Sequence, residues 1–255
     1  MHAWLTRAGS FKVEKHPCPA PGERVDRTRP RAGVLHTTEG NWESALSEFE
    51  VQNAPHFLLG RDQTGTCRIA QLIPLGQMAA SLLNPAGGVE TNRWAMAQIE
   101  MVGFSSTTPW LPADDVQDAL AGLMLTLKDE AGIPLTRPFP DEMPALPWAT
   151  VGFARRHAGK WGEVPGWFGH VEVPENDHWD PGALQWSDLM GHSADLAAPG
   201  REDYLQIISG KRGESHLVDE RKLSQGGLEA WLDGHALVRK VRADDRVIIR
   251  IREHA

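Results

Sequence analysis

One stretch organises the chain, and it reads Gly169-His170-Val171-Glu172-Val173-Pro174-Glu175-Asn176-Asp177-His178-Trp179-Asp180-Pro181-Gly182. Its proline, asparagine and glycine residues disfavour a long helix or a central strand, so we expect a shaped loop that carries polar side chains. Histidine and aspartate are both zinc ligands, and a catalytic zinc takes three protein ligands. One loop can present both His170 and Asp180. A third ligand must come from elsewhere, and His36 is the best candidate.

Length and composition predict a globular chain with one large and one small domain. The chain has 255 residues, of which 41% are hydrophobic and 24% are charged. Its formal net charge of −8 argues against a nucleic-acid partner, because such binders usually carry a basic stripe. Cys18 and Cys67 are the only cysteines, which excludes a disulfide framework and a cysteine-rich metal site.

The sequence shows no membrane or export signal. No apolar run approaches the ~20 residues that span a bilayer, so we expect no stable membrane insertion. Residues 1–7 lack the apolar core of a signal peptide. We therefore expect synthesis in the cytoplasm without export by the ordinary route.

His36 and His56 each belong to a predicted strand. Residues 32–40 are typical of a buried strand that runs into a turn, so His36 would lie at the end of a rigid element. The alternative for His36 is a core histidine bonded to a backbone carbonyl. His56 begins a hairpin formed by residues 54–60 and 67–72. It can line the same cleft, and a structural or substrate-contact role fits it better than metal ligation.

Glu100 lies in a predicted buried strand, residues 95–103, among apolar neighbours. A carboxylate is rarely buried without a reason. Beside a metal-bound water it would serve as a general base, its pKa raised by desolvation and lowered by the metal. The alternative is a glutamate at the strand end that points to solvent.

Further elements complete the predicted main domain, residues 31–197. Helices are predicted for residues 42–51, with Asn41 as N-cap, and for residues 112–132, with Asp114 or Asp115 as cap and Gly132 as stop. Shorter helices are predicted near residues 148–157 and 183–190.

The flanking parts are predicted separately. Residues 1–30 are rich in proline and arginine and form an irregular arm. Residues 191–203 are typical of a linker. Residues 203–255 form a small α+β module with a strand at 204–208, a helix at 217–232 and a hairpin of 238–242 with 246–252.

Several common chemistries lack their motifs. The chain has no His-Glu-x-x-His pair, no Gly-x-Ser-x-Gly elbow and no phosphate-binding Gly-Lys-Ser/Thr loop. His170-Val171-Glu172 resembles the start of a zinc deaminase motif, but the paired cysteines that should follow are missing.

Four motifs together, in order between about residues 30 and 190, resemble the zinc-dependent N-acetylmuramoyl-L-alanine amidases, the type 2 amidases related to peptidoglycan recognition proteins. They are Val34-Leu35-His36-Thr37-Thr38-Glu39-Gly40, Pro55-His56-Phe57-Leu58-Leu59, Gln98-Ile99-Glu100-Met101-Val102-Gly103, and Gly169-His170 with His178-Trp179-Asp180-Pro181-Gly182. The resemblance implies an α/β fold with a central mixed sheet, flanking helices and a zinc site in a surface groove.

The resemblance also implies site residues. His36, His170 and Asp180 would bind Zn²⁺, and Glu100 would be the general base. A lysine often stands two residues before the third ligand, where this chain has His178, a possible oxyanion donor whose charge depends on pH. We expect His56 and Trp94 to contact substrate, since aromatic faces suit a glycan groove. The alternative for any one tryptophan, Trp94 included, is an anchor in the core or in a loop.

The implied activity is a hydrolase that cuts the amide between N-acetylmuramic acid and L-alanine in bacterial peptidoglycan. The length, the missing signal peptide and the appended module resemble a phage endolysin, a bacteriolytic enzyme that acts at the cell wall. We expect a monomer, because no exposed apolar stripe in the sequence indicates self-association. Two alternatives stay open: a cytoplasmic amidase that recycles muropeptides, and a non-catalytic peptidoglycan-binding module.

Overall fold

A computed structural model of the chain describes residues 3–19, 22–107, 110–139, 153–197, 203–210, 216–223 and 246–253. The chain divides into two compact units, Met1–Ala197 and Ala198–Ala255. Among the described residues, no helix is both long enough and apolar enough to cross a membrane.

The first unit contains a mixed sheet of seven strands within the described ranges, in the order β1-β2-β5-β4-β6-β3-β7. The β4, β6, β3 and β7 strands run parallel to one another, and β5 pairs antiparallel with β4. The bounds are β1 Arg7–Ala8, β2 Phe11–Lys15, β3 Ala32–Thr37, β4 Phe57–Arg61, β5 Cys67–Gln71, β6 Ala95–Met101 and β7 Gly166–Gly169. The predicted α/β fold is confirmed.

Helices cover both faces of this sheet. The α1 helix, Trp42–Phe49, begins at Asn41, whose side chain accepts a hydrogen bond from Ser44 N as predicted. It packs with Leu58 and Leu72 on one face. The α2 helix, Asp114–Ala131, packs with the opposite-facing residues of the same strands, such as Phe57 and Ile99. The α3 helix, Trp186–Ala197, contributes to this second cluster. Two covered faces explain why the central strands have almost continuous apolar sequences.

One helix end differs from the sequence prediction. The N-cap of α2 is Ala113, with no side-chain hydrogen bond, and Asp114 and Asp115 lie inside the first turn. Carboxylates are favourable there because the helix dipole presents partial positive charge. The predicted cap was therefore wrong, whereas Gly132 ends α2 in the left-handed conformation as expected.

Two predictions about the flanking parts also need correction. The irregular arm contains β1 and β2, because Val13 and Lys15 pair with β5 and extend the sheet. The predicted linker begins too early, since α3 continues through Ala197 and buries Leu189 and Ser193. The helix predicted near residues 148–157 lies partly outside the described residues, and residues 153–156 are helical as predicted.

The described part of the second unit is a sheet of three strands in the order β10-β8-β9. These strands are β8 Asp203–Gly210, β9 His216–Leu223 and β10 Arg246–Glu253. The helix predicted from residue 217 is wrong over 217–223, because this segment pairs antiparallel with β8. The remaining part of that prediction, and the strand predicted at 238–242, lie outside the described residues.

Candidate functional site

Polar side chains gather where three parallel strands end. In the β3–β6 register His36 is opposite Glu100, and in the β3–β7 register Leu35 is opposite Gly169. His170 therefore follows directly at the end of β7, where a short 3-10 helix, His170–Glu172, begins. The carboxyl ends of parallel strands are the usual place for ligands in open α/β sheets.

The metal loop, residues 169–182, folds back to bring Asp180 to the same point. Val171 N donates to Asp180 O at 2.8 Å, which closes the loop. Thr37 N, at the end of β3, donates to Asp180 Oδ2 at 3.2 Å. The Asp180 carboxylate is thus oriented by the backbone of the strand that carries His36.

The three candidate ligands His36, His170 and Asp180 converge as the sequence predicted. Nδ1 of His36 lies 3.0 Å from Nδ1 of His170. Asp180 Oδ1 lies 3.2 Å from His170 Nδ1, and Asp180 Oδ2 lies 3.6 Å from His36 Nδ1. All three residues are buried, and they form a group that can hold a metal ion.

The spacings within this group are compatible with a bound cation. Zinc–ligand distances of about 2.0–2.1 Å place tetrahedral ligand atoms about 3.3 Å apart, close to the spacings observed. Two imidazole nitrogens with one carboxylate suit zinc and similar transition metals rather than Mg²⁺ or Ca²⁺, which prefer oxygen ligands.

The electrostatics keep two of the candidate ligands, His36 and Asp180, in the forms that bind metal. Burial, assisted by the neighbouring His170, holds the pKa of His36 well below its usual range, so its ring is neutral. Burial opposes the ionisation of Asp180. Even so, His170, His178 and His36 together hold the Asp180 pKa far below its usual range. A neutral imidazole and an ionised carboxylate are the ligand states that metal ions require.

Glu100 lies beside this cluster and is not the solvent-facing glutamate of the alternative interpretation. Its residue exposure is 8%, and its Oε1 atom lies 3.8 Å from His36 Nδ1. Its buried Oε2 atom has no hydrogen-bond partner among the described residues. Burial, followed by the charge of Asp180, raises the Glu100 pKa well above the ordinary value. An unpartnered buried carboxylate is costly and marks a candidate for proton transfer.

His178 stands at the solvent side of the cluster. Its ring stacks on His170, with centroids 4.3 Å apart, and its Nδ1 atom lies 3.5 Å from Asp180 Oδ1. The Asp180 carboxylate raises the His178 pKa. Because the His178 side chain is 51% exposed, its ring can reach a molecule in the groove.

A groove of about 310 Å³ opens over these residues. One side is formed by α1 and the segment that follows it, and another by residues 80–83. The floor includes the candidate ligands His170 and Asp180 together with Glu100. A groove with an apolar wall and a few convergent polar groups is the usual form of a small-ligand or substrate site.

His56 is not placed to contact a substrate, which corrects the sequence prediction. It is fully buried, its Nε2 atom bonds Gln77 O at 2.9 Å, and its Nδ1 atom accepts from Gln98 N at 3.1 Å. Burial lowers its pKa to about 4. Both ring nitrogens are therefore used inside the core, and His56 is a structural histidine.

Trp94 is also absent from the described lining of the groove. It packs with the apolar cluster around Phe168, and the Arg29 guanidinium lies 4.4 Å from its ring centroid. The predicted substrate contact has no support in this position. Trp179 differs from most tryptophans of this unit, since its residue exposure is 49%.

Three arginines that the sequence analysis missed hold the metal loop. Arg137 and Arg155 both donate to the buried carboxylate of Glu172. Arg156 donates to the carbonyls of Val171, Asn176 and His178. A carboxylate between Val171 and Val173 was a usable signal, because such a group needs a cationic partner when the valines are buried.

Comparison with known proteins gives limited similarity. No protein-family model matches the chain, and no curated protein matches it. Solved structures that resemble it include the endolysine N-acetylmuramoyl-L-alanine amidase LysCS and the N-acetylmuramoyl-L-alanine amidase LysC, both from Clostridium intestinale URNW. LysCS has 11% identity and a TM-score of 0.43, over 75% of this chain and 99% of that chain. LysC has 13% identity and a TM-score of 0.41, over 74% and 99%. Similarity at this level does not assign a family.

Proposed function

We propose that the chain is a zinc-dependent N-acetylmuramoyl-L-alanine amidase that cleaves bacterial peptidoglycan. This proposal rests on the convergence of His36, His170 and Asp180 next to Glu100, whose buried Oε2 atom has no hydrogen-bond partner among the described residues. The four sequence motifs that resemble those of type 2 amidases contain these four residues, in the order that the resemblance implies. When bound, zinc would lower the pKa of water towards ~7 and polarise the substrate carbonyl.

Glu100 and His178 would have different roles in the reaction. Glu100 in its ionised form, which burial makes a stronger base, accepts a proton from the attacking water, and the water oxygen bonds to the lactyl carbonyl carbon. His178 donates a hydrogen bond to the developing oxyanion from the open side of the groove. The amide C–N bond then breaks, and Glu100 returns its proton to the amine of L-alanine. The products are a lactyl carboxylate and a stem peptide with a free amino terminus.

A purified-wall assay tests this proposal. Isolated walls are incubated with the protein, and new free amino groups on alanine are measured together with new reducing sugar ends. We expect amine release without new reducing ends, loss of release on chelation and recovery with Zn²⁺. Reducing ends without alanine amines would indicate glycan cleavage and overturn the amidase proposal. Stoichiometric zinc without release from walls or soluble fragments would favour the non-catalytic binding module.

We further propose that the enzyme acts as a lysin, specifically a phage endolysin. Support comes from the separate compact unit Ala198–Ala255, which is a candidate cell-wall-binding module. A lysin should clear intact walls, whereas a recycling amidase should act only on small soluble muropeptides. Cleavage rates measured on equal amounts of intact walls and of soluble muropeptides distinguish these roles. Exclusive turnover of soluble fragments would contradict the lysin proposal.

A further inference from the structure

Glu172 is the most deeply buried carboxylate around the metal loop. It ends the 3-10 helix that begins with His170, and its side chain is 0% exposed. A buried carboxylate is stable only when it is paired and hydrogen-bonded. Its partners therefore show what this part of the fold is built to hold.

The Glu172 carboxylate has four donors around it. Arg137 approaches as a fork, with Nη1 at 2.7 Å from Oε2 and Nη2 at 2.8 Å from Oε1. Arg155 Nη1 donates to Oε1 at 2.9 Å. Gly169 N, the residue before His170, donates to Oε2 at 2.8 Å. These contacts hold the pKa of Glu172 below its usual value even though burial opposes ionisation.

Arg137 extends this arrangement to neighbouring elements. Its Nη1 atom also donates to Trp167 O in β7 at 2.9 Å. Its guanidinium lies 3.7 Å from the ring centroid of Trp186, the first residue of α3. The backbone just before His170 is thus tied to one guanidinium, directly at Trp167 and through Glu172 at Gly169.

We propose that the Arg137–Glu172 pair, with Arg155, positions His170 as a metal ligand. This inference rests on the proposed metal site and goes beyond it, because none of these three residues lies among the candidate ligands. A rigid turn keeps the His170 Nδ1 atom near its spacing of 3.0 Å from His36 Nδ1. Ligand spacing of this kind depends on supporting residues, and loosening them weakens metal binding.

Two variants separate positioning from a purely structural role. In the double variant Arg137→Met with Glu172→Met, both charges disappear, and apolar replacement of a buried ion pair is often neutral for stability. In Arg137→Lys the charge remains but the fork is lost. Arg61→Lys is the matched control, because Arg61 forms an exposed fork with Asp115 at 2.8–3.1 Å.

Each protein is stripped of metal and titrated with Zn²⁺ against a chromophoric chelator. Co²⁺ loading supplies a second readout, since the visible spectrum of bound Co²⁺ reports coordination geometry. Urea unfolding of the metal-free proteins measures stability alone. If the double variant fails to fold, Arg137→Lys decides the outcome.

We expect zinc affinity to fall by about 10–100-fold in the double variant and about tenfold in Arg137→Lys, with an altered Co²⁺ spectrum. Arg61→Lys should match the wild type. Affinities within twofold of wild type and unchanged spectra in the folded Arg137 variants would overturn the inference. Wild-type protein that binds zinc without releasing alanine amines would overturn the amidase proposal alone. Failure of the wild type to bind any metal would overturn both.

Discussion

Two glutamates, Glu172 and Glu100, are buried near the metal loop, and their surroundings shift their pKa values in opposite directions. Glu172, behind the loop, accepts hydrogen bonds from Arg137, Arg155 and Gly169 N, and its pKa is lowered. Glu100, in front of it, leaves Oε2 without a partner among the described residues, and its pKa is raised well above normal. Burial alone would raise the pKa of both carboxylates, so the opposite net shifts come from the different partners of the two side chains.

This difference separates structural from chemical roles. A carboxylate that is fully bonded has no lone pair to offer a substrate and stabilises the fold. A carboxylate that is buried without partners costs stability, and such a cost is typical of functional sites. The same distinction separates two histidines. His56 has both ring nitrogens bonded in the core, whereas His36 belongs to the group of candidate metal ligands.

The largest expected effect concerns the unpartnered glutamate. Glu100→Gln removes the proton acceptor but keeps the size of the side chain. We expect alanine amine release to fall by about 10²–10⁴-fold, with zinc retained and stability not reduced. Wall assays, elemental analysis and urea unfolding check the three parts. A near-normal rate would show that Glu100 is not the base.

The partnered glutamate should respond through stability instead. Glu172→Gln removes one member of a buried ion pair and leaves Arg137 without its counter-charge. We expect a loss of about 3–5 kcal/mol in the free energy of unfolding, measured by urea denaturation of the metal-free protein. Glu100→Gln is the control, because it changes the same chemical group where no cation is paired with it. Equal stabilities for the two variants would contradict the distinction.

His56 extends the comparison to pH. Its pKa is about 4 in the folded protein against 6.5 for an ordinary histidine. Between these values the unfolded chain binds more protons, so stability is complete above about pH 6.5 and falls as the pH drops towards 4. From pH 7.5 to 4.5 the His56 contribution should fall by roughly 2–3 kcal/mol.

His56→Gln isolates this contribution. Glutamine retains a donor for Gln77 O but does not titrate, so the variant should lose that part of the pH dependence. The quantity to compare is the change in unfolding free energy between the two pH values, wild type against variant. Identical pH dependence in both proteins would mean that the pKa of His56 is not lowered in the folded state.

The smallest effect is expected at an exposed ion pair. Arg61 and Asp115 form a fork like that of Arg137 and Glu172, but their side chains are 50% and 38% exposed. Exposed pairs are screened by water and contribute little. Arg61→Lys should leave the urea midpoint unchanged within error. A clear drop would show that burial is not what distinguishes the two forks.

The sequence predicted the parts of the site that local motifs carry. The three candidate ligands lie at strand ends or in a loop rich in turn-forming residues, and they are His36, His170 and Asp180. Glu100 stands out as a carboxylate in an apolar strand. It did not predict the register that sets His36 opposite Glu100, because strand pairing depends on distant parts of the chain.

Local sequence patterns did not predict the partners of Glu172, for the same reason. Arg137 and Arg155 lie 35 and 17 residues away along the chain, in a segment without a clear periodicity. His56 was misassigned because its motif is shared by cleft and core positions, and only its two hydrogen bonds distinguish them. The short segment 217–223 fits a helix or a strand by composition, and pairing with β8 decides it.

Zinc titration of metal-free protein tests the central claim most directly. Wild type is compared with Glu100→Gln and with the single variants His36→Ala, His170→Ala and Asp180→Ala. The account predicts roughly one tight zinc per chain for wild type and Glu100→Gln, and a large loss of affinity in each ligand variant. Absence of zinc binding in wild type, or ligand variants that bind as wild type does, would contradict it.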